Sequence, residues 1–572
     1  MPDPVATDPT VPADLDRALA DLRAHAASWA AAPADLRIGL LERLLPRIRE
    51  TAAAMVDDAC RHKGHRPDSP WAAEDWAGGP WALAQHTAAR LHGLRRLAAG
   101  RDPLPADRVH ETDGRTWVDV FPATAADRLL LAGYRARVRL LPGTSAERAR
   151  ERAAARHRHG TARPGIALVL GAGNVAALTA TDILHQLYAE NRVVIAKLNP
   201  VNAYLRPHYE RIFAEFVRNG WLRLVDGGPA EGALLTTHPE VDAVHITGSA
   251  RTHDAVVWGT DDRAGQRRRA GIPLVDKPLT SELGGVSPFL VVPGPWSAAD
   301  FRHQAEHIVT AKMNNSGHNC IAAQVLLVPR RWDGTERLLD AVRAVLRDLP
   351  FRTDYYPGSA QRLAAVRRAH PGAEMYGDGC RLLVPDVADP ADPLLTEEVF
   401  ASALGVVRLP GDTPAAFLDQ AVRFANDRLP GTLGATVLVH PRTERDHPAA
   451  VAGAVDRLRY GTIAVNTWSG VGFLLGHTPW GAHPGHTPQD IGSGTGFVNN
   501  TWMLDDVEKT VLRAPFAPAP RGLFTGSPSL APRPPHFVTH RSGRATLERL
   551  AHYTAAPAAR RLPGLLASAL RG

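Results

Sequence analysis

The residue best placed to act as a nucleophile is Cys320, which closes the turn Asn314-Asn315-Ser316-Gly317-His318-Asn319-Cys320 at the end of a helical pattern. A turn rich in glycine and asparagine can set a thiol among backbone N–H groups that favour the thiolate, the form that attacks electrophiles. The other two cysteines, Cys60 and Cys380, lack that setting. A lone cysteine is more often a small buried hydrophobe, so its surroundings have to decide between the two roles. One candidate partner is Asn174, in the Gly-Ala-Gly-Asn turn after the apolar run Ile166–Leu170. Such a turn can present the asparagine amide to a reaction centre as a hydrogen-bond donor.

The elements that must position these residues read as α/β. Leu15 to Trp29 and Leu36 to Cys60 carry apolar residues at three- and four-residue spacing and are expected to be amphipathic helices used for packing. Trp117–Phe121 and Tyr134–Leu141 read as strands, the second alternating apolar residues with arginines, so that its arginine face should point outward, exposed or lent to a partner. From Ile166 onward, short apolar strands alternate with helical patterns (IALVL, RVVIAK, LRLV, VDAVHITG), which predicts a parallel sheet covered on both faces. A predicted helix, Asp300–Met313, delivers the chain to the Cys320 turn, and AAQVLLV follows as a strand. Residues 514–572 begin proline-rich and end in two helical stretches, an extension expected to wrap or link.

Bulk composition narrows the function. A chain of 572 residues exceeds one core and suggests two or three domains. Its net charge of +7 would suit nucleic acid, but the arginines are interspersed with acids. The densest run, from Ala146 to Gly160, has helical spacing and reads as a solvated helix or linker, so no nucleic-acid partner is expected. Scattered cysteines argue against a disulfide framework, and the 25 histidines form no HExxH or paired Cys/His pattern, so no metal is expected. The N-terminal residues lack the order of a signal peptide and no apolar run reaches 18 residues, so the expectation is a cytoplasmic protein without a membrane span.

Gly171, Gly173 and Ala176 match the G-x-G-x-x-A dinucleotide fingerprint, but the next strand ends at Lys197-Leu198-Asn199-Pro200 with no acid for a ribose. Four stretches, in order, instead resemble those of the aldehyde dehydrogenase superfamily. Asn174 resembles its oxyanion asparagine and Lys197, in VVIAK, its adenine-ribose lysine. HITGS, with Gly248 and Ser249, resembles the turn under the cofactor pyrophosphate. KPLTSELGGVSP resembles the segment whose glutamate, here Glu282, is the general base, and NNSGHNC the segment whose cysteine, here Cys320, is the nucleophile. A weaker match, EEVF, puts Glu398 and Phe400 where the family touches the nicotinamide ribose and ring.

The resemblance covers Leu15 to Arg513 and implies two Rossmann-like parallel-sheet domains. It places a discontinuous cofactor domain at 14–120 and 151–281 and a catalytic domain at 282–480. Bridging segments, 121–150 and 497–513, would join subunits of a homodimer or homotetramer. It further implies NAD- or NADP-dependent oxidation of a small aldehyde, through a thiohemiacetal and a thioester that Glu282 helps water to hydrolyse. Several positions depart from the pattern. Pro200 stands where the family often has the glutamate that chelates the adenine ribose, which admits NADP; His318 replaces a glutamine and Ala401-Ser402 a Gly-Pro. An arginine-rich insertion precedes Glu282 and could cover the cofactor or meet a partner. An acyl-CoA or acyl-phosphate reductase and a non-catalytic scaffold remain alternatives. The apolar loop Thr467–Gly481 points to a hydrophobic or aromatic aldehyde.

Overall fold

The computed structural model describes residues 10–155, 164–524, 529 and 531–572. Residues 1–9 and the end of the arginine-rich run, residues 156–160, lie outside them, as do residues 525–528 and 530 of the proline-rich stretch. Short β-branched runs bounded by turn residues become strands buried on both faces: no residue of Ile166–Leu170, Val193–Lys197 or Ser287–Val291 is exposed. That is the environment of a parallel sheet sandwiched between helices.

A first sheet has six strands in the order Gly494–Thr495, Leu279–Leu283, Ala243–Gly248, Ile166–Leu170, Val193–Lys197, Leu222–Val225. All pairs are parallel except the one that Gly494–Thr495 makes with Leu279–Leu283. In register, Leu170 lies beside both Lys197 and Ile246, and Thr247 beside Glu282. The carboxyl ends of these strands thus bring Lys197, Gly248 and Glu282 to one edge, the edge at which open α/β sheets hold ligands.

The second sheet has eleven strands, built on the parallel strands Ser287–Val291, Ala323–Pro329, Ala403–Leu409, Gly434–Leu438 and Thr462–Val465. Val507–Arg513 continues it in parallel, and Arg135–Leu140, Arg115–Phe121 and Val109–Thr112 extend it in antiparallel fashion.

Four expectations change here. Residues 109–120 belong to the second sheet, not to the cofactor layer, and the strands at 135–140 and 507–513 are integral to it rather than separate arms. The boundary at 281/282 falls inside strand Leu279–Leu283, which belongs wholly to the first sheet. Arg139, expected to face outward, is buried, because its guanidinium bonds Glu508 at 2.7 and 2.9 Å. A buried cation is tolerable only with such a partner.

Helix Ala298–Met313, capped by Ser297 whose hydroxyl accepts from Asp300 N–H, is buried almost all round although it carries many polar residues. Buried polar groups need partners, and the C-terminal extension supplies several. Gln304 Nε2 donates to Phe516 O at 2.8 Å, and Arg533 forks onto the Glu306 carboxylate at 2.7 and 3.0 Å. Thr310 Oγ1 accepts from Val538 N–H at 3.1 Å, and Phe537 stacks against His303 and His307. Helix Gly543–Ala555 then packs its buried face, Leu547, Leu550 and Ala551, on helix Ala72–Trp76 and the π-turn Ala77–Trp81. Each large side chain so covered contributes about 1.5–3 kcal/mol.

Candidate active site

The Cys320 turn is conformationally costly. Asn315, Ser316 and Gly317 all have left-handed backbones, at φ 57°, 55° and 74°. A side chain at 317 would meet Ala401 O at 2.5 Å, so only glycine fits. Such geometry costs roughly 1–2 kcal/mol per non-glycine residue and has to be held from outside. Asn315 N–H donates to Glu74 Oε2 at 2.7 Å, and Asn315 Nδ2 donates to Asn174 O at 2.8 Å and His318 O at 2.9 Å. Tyr355 OH donates to Asn315 Oδ1 at 2.8 Å, and Ser402 Oγ to Ser316 O at 2.8 Å. Ser402, one of the two departures after Phe400, therefore clamps the turn.

The turn brings Cys320, Glu282 and Asn174 together. Cys320 remains partly exposed toward a cavity; its thiol donates to Asn319 Oδ1 at 3.8 Å, and the Glu282 carboxyl lies close enough to act on it. Glu282 is 3% exposed and accepts from Trp480 Nε1 at 3.2 Å. Burial raises its carboxyl to about 7. Asn174 donates one Nδ2 hydrogen to His318 O at 3.1 Å, which leaves the second for another acceptor.

The expectation that the turn favours a thiolate is not met: burial, with the nearby Glu282 and Glu398 carboxyls, pushes the Cys320 thiol well up. Two carboxyls beside the sulfur outweigh the backbone donors. Glu398 is itself raised to about 8, first by burial and then by Glu282, and its Oε1 is a sealed atom without a hydrogen-bond partner among the described residues. Lys312, also buried, falls to about 7.

His318 is fully buried. Its Nε2 faces Ser359 Oγ at 3.0 Å, and its ring stacks on Tyr356 and tilts toward Phe400 at 5.7 Å. Burial and surrounding cations hold it neutral, down to about 2.

The cofactor-side residues line the strand-end edge. Lys197 Nζ donates to Gly227 O at 2.7 Å, and Pro200 opens the 3-10 turn Pro200–Leu205 capped by Asn199. Gly248 ends its strand, and Ser249 caps helix Ala250–Trp258 by accepting from Thr252 N–H at 3.2 Å. The free N–H groups of such a first turn suit a pyrophosphate. Phe400 has a left-handed backbone at φ 46°, so its ring is held in a set position. The unpartnered Glu398 oxygen and the absence of a carboxylate at 200 fit a dinucleotide, with or without a 2′-phosphate. The arginine-rich insertion forms helix Ala264–Ala270. Arg267 caps Trp258 O at 2.7 Å and Arg268 bonds Asp254 and Gln489 O, so it braces this helix.

On the opposite side, Cys320 opens onto a cavity of about 60 Å³ that none of the cofactor-side residues lines. Its walls are apolar, with Val175, Leu178, Trp468 and Phe473; Lys63, Asp75 and His536 make a polar end. Lys63 caps the C-terminus of helix Ala34–His62, and Asp75 comes from the short helix Ala72–Trp76 that follows it. Lys63 Nζ lies 2.6 Å from Asp75 Oδ1, and Glu74 is ion-paired with Arg352. Cys60, His65 and Asp75 converge closely enough to ligate a metal, but the Lys63 ammonium already fills the cation's role there. Glu74, Tyr355 and His536 escaped the sequence reading. Their spacing from Cys320 carries no periodic signal.

The model of the aldehyde dehydrogenase family matches residues 164–481, more than half of the chain. The chain belongs to that family. It is 34% identical over 189 residues to N-succinylglutamate 5-semialdehyde dehydrogenase of Sphingopyxis alaskensis, covering 33% of this chain and 35% of that protein. It is 36% identical over 148 residues to 3-succinoylsemialdehyde-pyridine dehydrogenase of Pseudomonas, covering 25% and 27%. The chain thus spans about a third of the length of the curated relatives it matches.

Among solved structures, aldehyde dehydrogenase C of Pseudomonas syringae, complexed with NAD+ and octanal, superposes with a TM-score of 0.57 at 20% identity, over 89% of this chain and 90% of that one. NADP-dependent glyceraldehyde-3-phosphate dehydrogenase of Bacillus halodurans, complexed with NADP, gives 0.57 at 17%, over 87% and 90%. At that identity these two bear on the fold alone, which is the α/β aldehyde dehydrogenase fold. No helix among the described residues is long and apolar enough to cross a membrane.

Proposed function

We propose that this chain oxidises an aldehyde to a carboxylic acid with NAD or NADP, through a cysteine thioester. The observation that carries the reading is the juxtaposition of the Cys320 thiol with the buried Glu282 carboxyl, at the turn that Asn174 bonds on two sides. With its carboxyl near 7, Glu282 is partly ionised at neutral pH and takes the Cys320 proton as the sulfur attacks the carbonyl carbon. The resulting oxyanion takes the second Asn174 N–H and the Cys320 backbone N–H. When bound, NAD or NADP would supply the acceptor for the hydride lost from the substrate carbon; Lys197 and the Ser249 helix turn would hold its ribose and phosphates, with Glu398 and Phe400 at the ring end. Glu282 then takes a proton from water, which attacks the thioester; the acid leaves and the thiol is restored.

Pro200 admits both cofactors. A homodimer or homotetramer is part of the proposal, supported by the open edge of strand Val109–Thr112, and so is a reducing, cytoplasmic setting that keeps Cys320 free. The decisive experiment is a panel of aldehydes with each cofactor, with and without coenzyme A. Reduced cofactor forming without coenzyme A is the expected result. Strict dependence on coenzyme A would assign an acyl-CoA reductase, and no turnover with a Cys320 that labels like a free thiol would assign a scaffold.

A further inference from the structure

The C-terminal extension lies outside the matched family region and yet reaches the Cys320 cavity, through His536. The chain around that histidine is pinned on both sides. Arg533 is forked onto Glu306; Phe537 is clasped by His303 and His307, at 5.3 and 5.6 Å; Val538 N–H is held by Thr310. Glu306, His307 and Thr310 all belong to helix Ala298–Met313, whose end carries the nucleophile. Beyond His536, Arg544 Nε donates to Pro67 O at 3.0 Å, and helix Gly543–Ala555 seats on the segment whose Ala77 and Gly78 line the same cavity. The extension is therefore bolted across the cavity from the nucleophile's helix to the opposite wall.

Within this frame His536 Nε2 is sealed from solvent and has no hydrogen-bond partner among the described residues. A buried imidazole nitrogen left unsatisfied costs about 1–3 kcal/mol, which a ligand group can recover. The charges at this end cancel: Asp75 is matched by Lys63 and Glu74 by Arg352. Burial also holds His536 neutral, at about 4. A charged head group would find no counter-charge there, and a purely apolar one would leave the nitrogen unsatisfied.

We infer that the extension forms the far wall of the aldehyde cavity and that His536 Nε2 selects substrates bearing a neutral hydrogen-bonding group, a hydroxyl or an amide, beyond the aldehyde carbon. This rests on the proposed oxidation of an aldehyde at Cys320. His536 acts here as a specificity residue and takes no part in the bond-making steps.

The test uses the full chain and two probes of equal heavy-atom count, 3-hydroxypropanal and butanal. The wild type should favour 3-hydroxypropanal in kcat/KM by roughly tenfold, His536→Leu should remove that preference by lowering the hydroxyaldehyde value alone, and His536→Gln should restore part of it. Equal kcat/KM for the two aldehydes in the wild type, or equal losses in His536→Leu, would overturn the inference.

A second measurement is independent of turnover: alkylation of Cys320 by iodoacetamide and by N-phenylmaleimide, quantified on the Cys320 peptide. His536→Gly should accelerate the bulky reagent by roughly tenfold relative to the small one, and 3-hydroxypropanal should protect the wild-type thiol at lower concentration than butanal. An unchanged reagent ratio, or equal protection, overturns the wall and the selection respectively. If no aldehyde is oxidised while these alkylation results hold, it is the proposed activity that fails and not the wall.

Discussion

Two groups of buried acids flank the Cys320 turn, and the chain treats them in opposite ways. On the cavity side, Glu74 and Asp75 are paired with Arg352 and Lys63, and Asp75 is held at about 2, with the Lys63 ammonium outweighing the penalty of burial. On the cofactor side, Glu282 and Glu398 form no ion pair among the described residues; burial pushes them up to about 7 and 8, in Glu398 against the pull of the more distant Lys312 and Arg362. Burial is similar in the two groups; the difference lies in the partners. A carboxyl that has to hold a turn or a wall in place is paired and fixed in charge. Glu282, which has to take and return protons near neutral pH, is left unpaired.

The largest effect expected from this contrast follows removal of the nucleophile. Cys320→Ala should lower turnover by at least ~10³-fold and leave cofactor binding, read by fluorescence titration, intact. Persisting turnover would place the chemistry elsewhere. Next comes Glu282→Gln, which should slow the single-turnover hydride burst, for want of a base to take the Cys320 proton, and should slow the steady state by roughly 10²–10⁴-fold. A steady-state rate equal to wild type would mean that another base serves.

On the paired side, Arg352→Met should cost about 3–5 kcal/mol of stability in urea unfolding, because it strands the Glu74 carboxylate. If it costs no more than a surface substitution, the two sides do not differ as described.

The smallest effect is a pair of opposed pH slopes. Glu282 and Glu398 have folded pKa values raised above the ordinary carboxyl value of 4.5, so the native state binds more protons and stability falls as pH rises from about 4.5 to about 8. Asp75 is lowered from 3.8, so its contribution is present above that value and is lost as pH falls toward about 2. Glu398→Gln should flatten the first slope and leave the second, as measured by unfolding at a series of pH values. A neutral-pH slope unchanged in Glu398→Gln would show that this carboxyl ionises freely in the folded chain.

The sequence exposed one side of this comparison and hid the other. Cys320, Glu282 and Asn174 could be read because they stand in local turns and strand ends, where glycine, asparagine and short apolar runs dictate the backbone. The parallel α/β texture was legible for the same reason. Glu74, which holds the turn, is 241 residues from Asn315, and Trp480 is 198 residues from Glu282; contacts at such range leave no periodic trace. The extension could be expected to wrap or link but its seat could not be located, because proline-rich composition signals stiffness and says nothing about where a stiff segment lands. Arg139 was misplaced because alternation predicts the direction of a side chain and not the presence of Glu508 to receive it.

Glu282 sits on a strand of the first sheet, whereas Cys320 hangs between a helix and a strand of the second layer. The gap between base and nucleophile is thus a measure of how the two layers are docked, and a misplacement of about 1 Å can cost on the order of 10²-fold in rate. Turnover should accordingly behave as a gauge of alignment between the layers, fading on warming while both sheets are still intact.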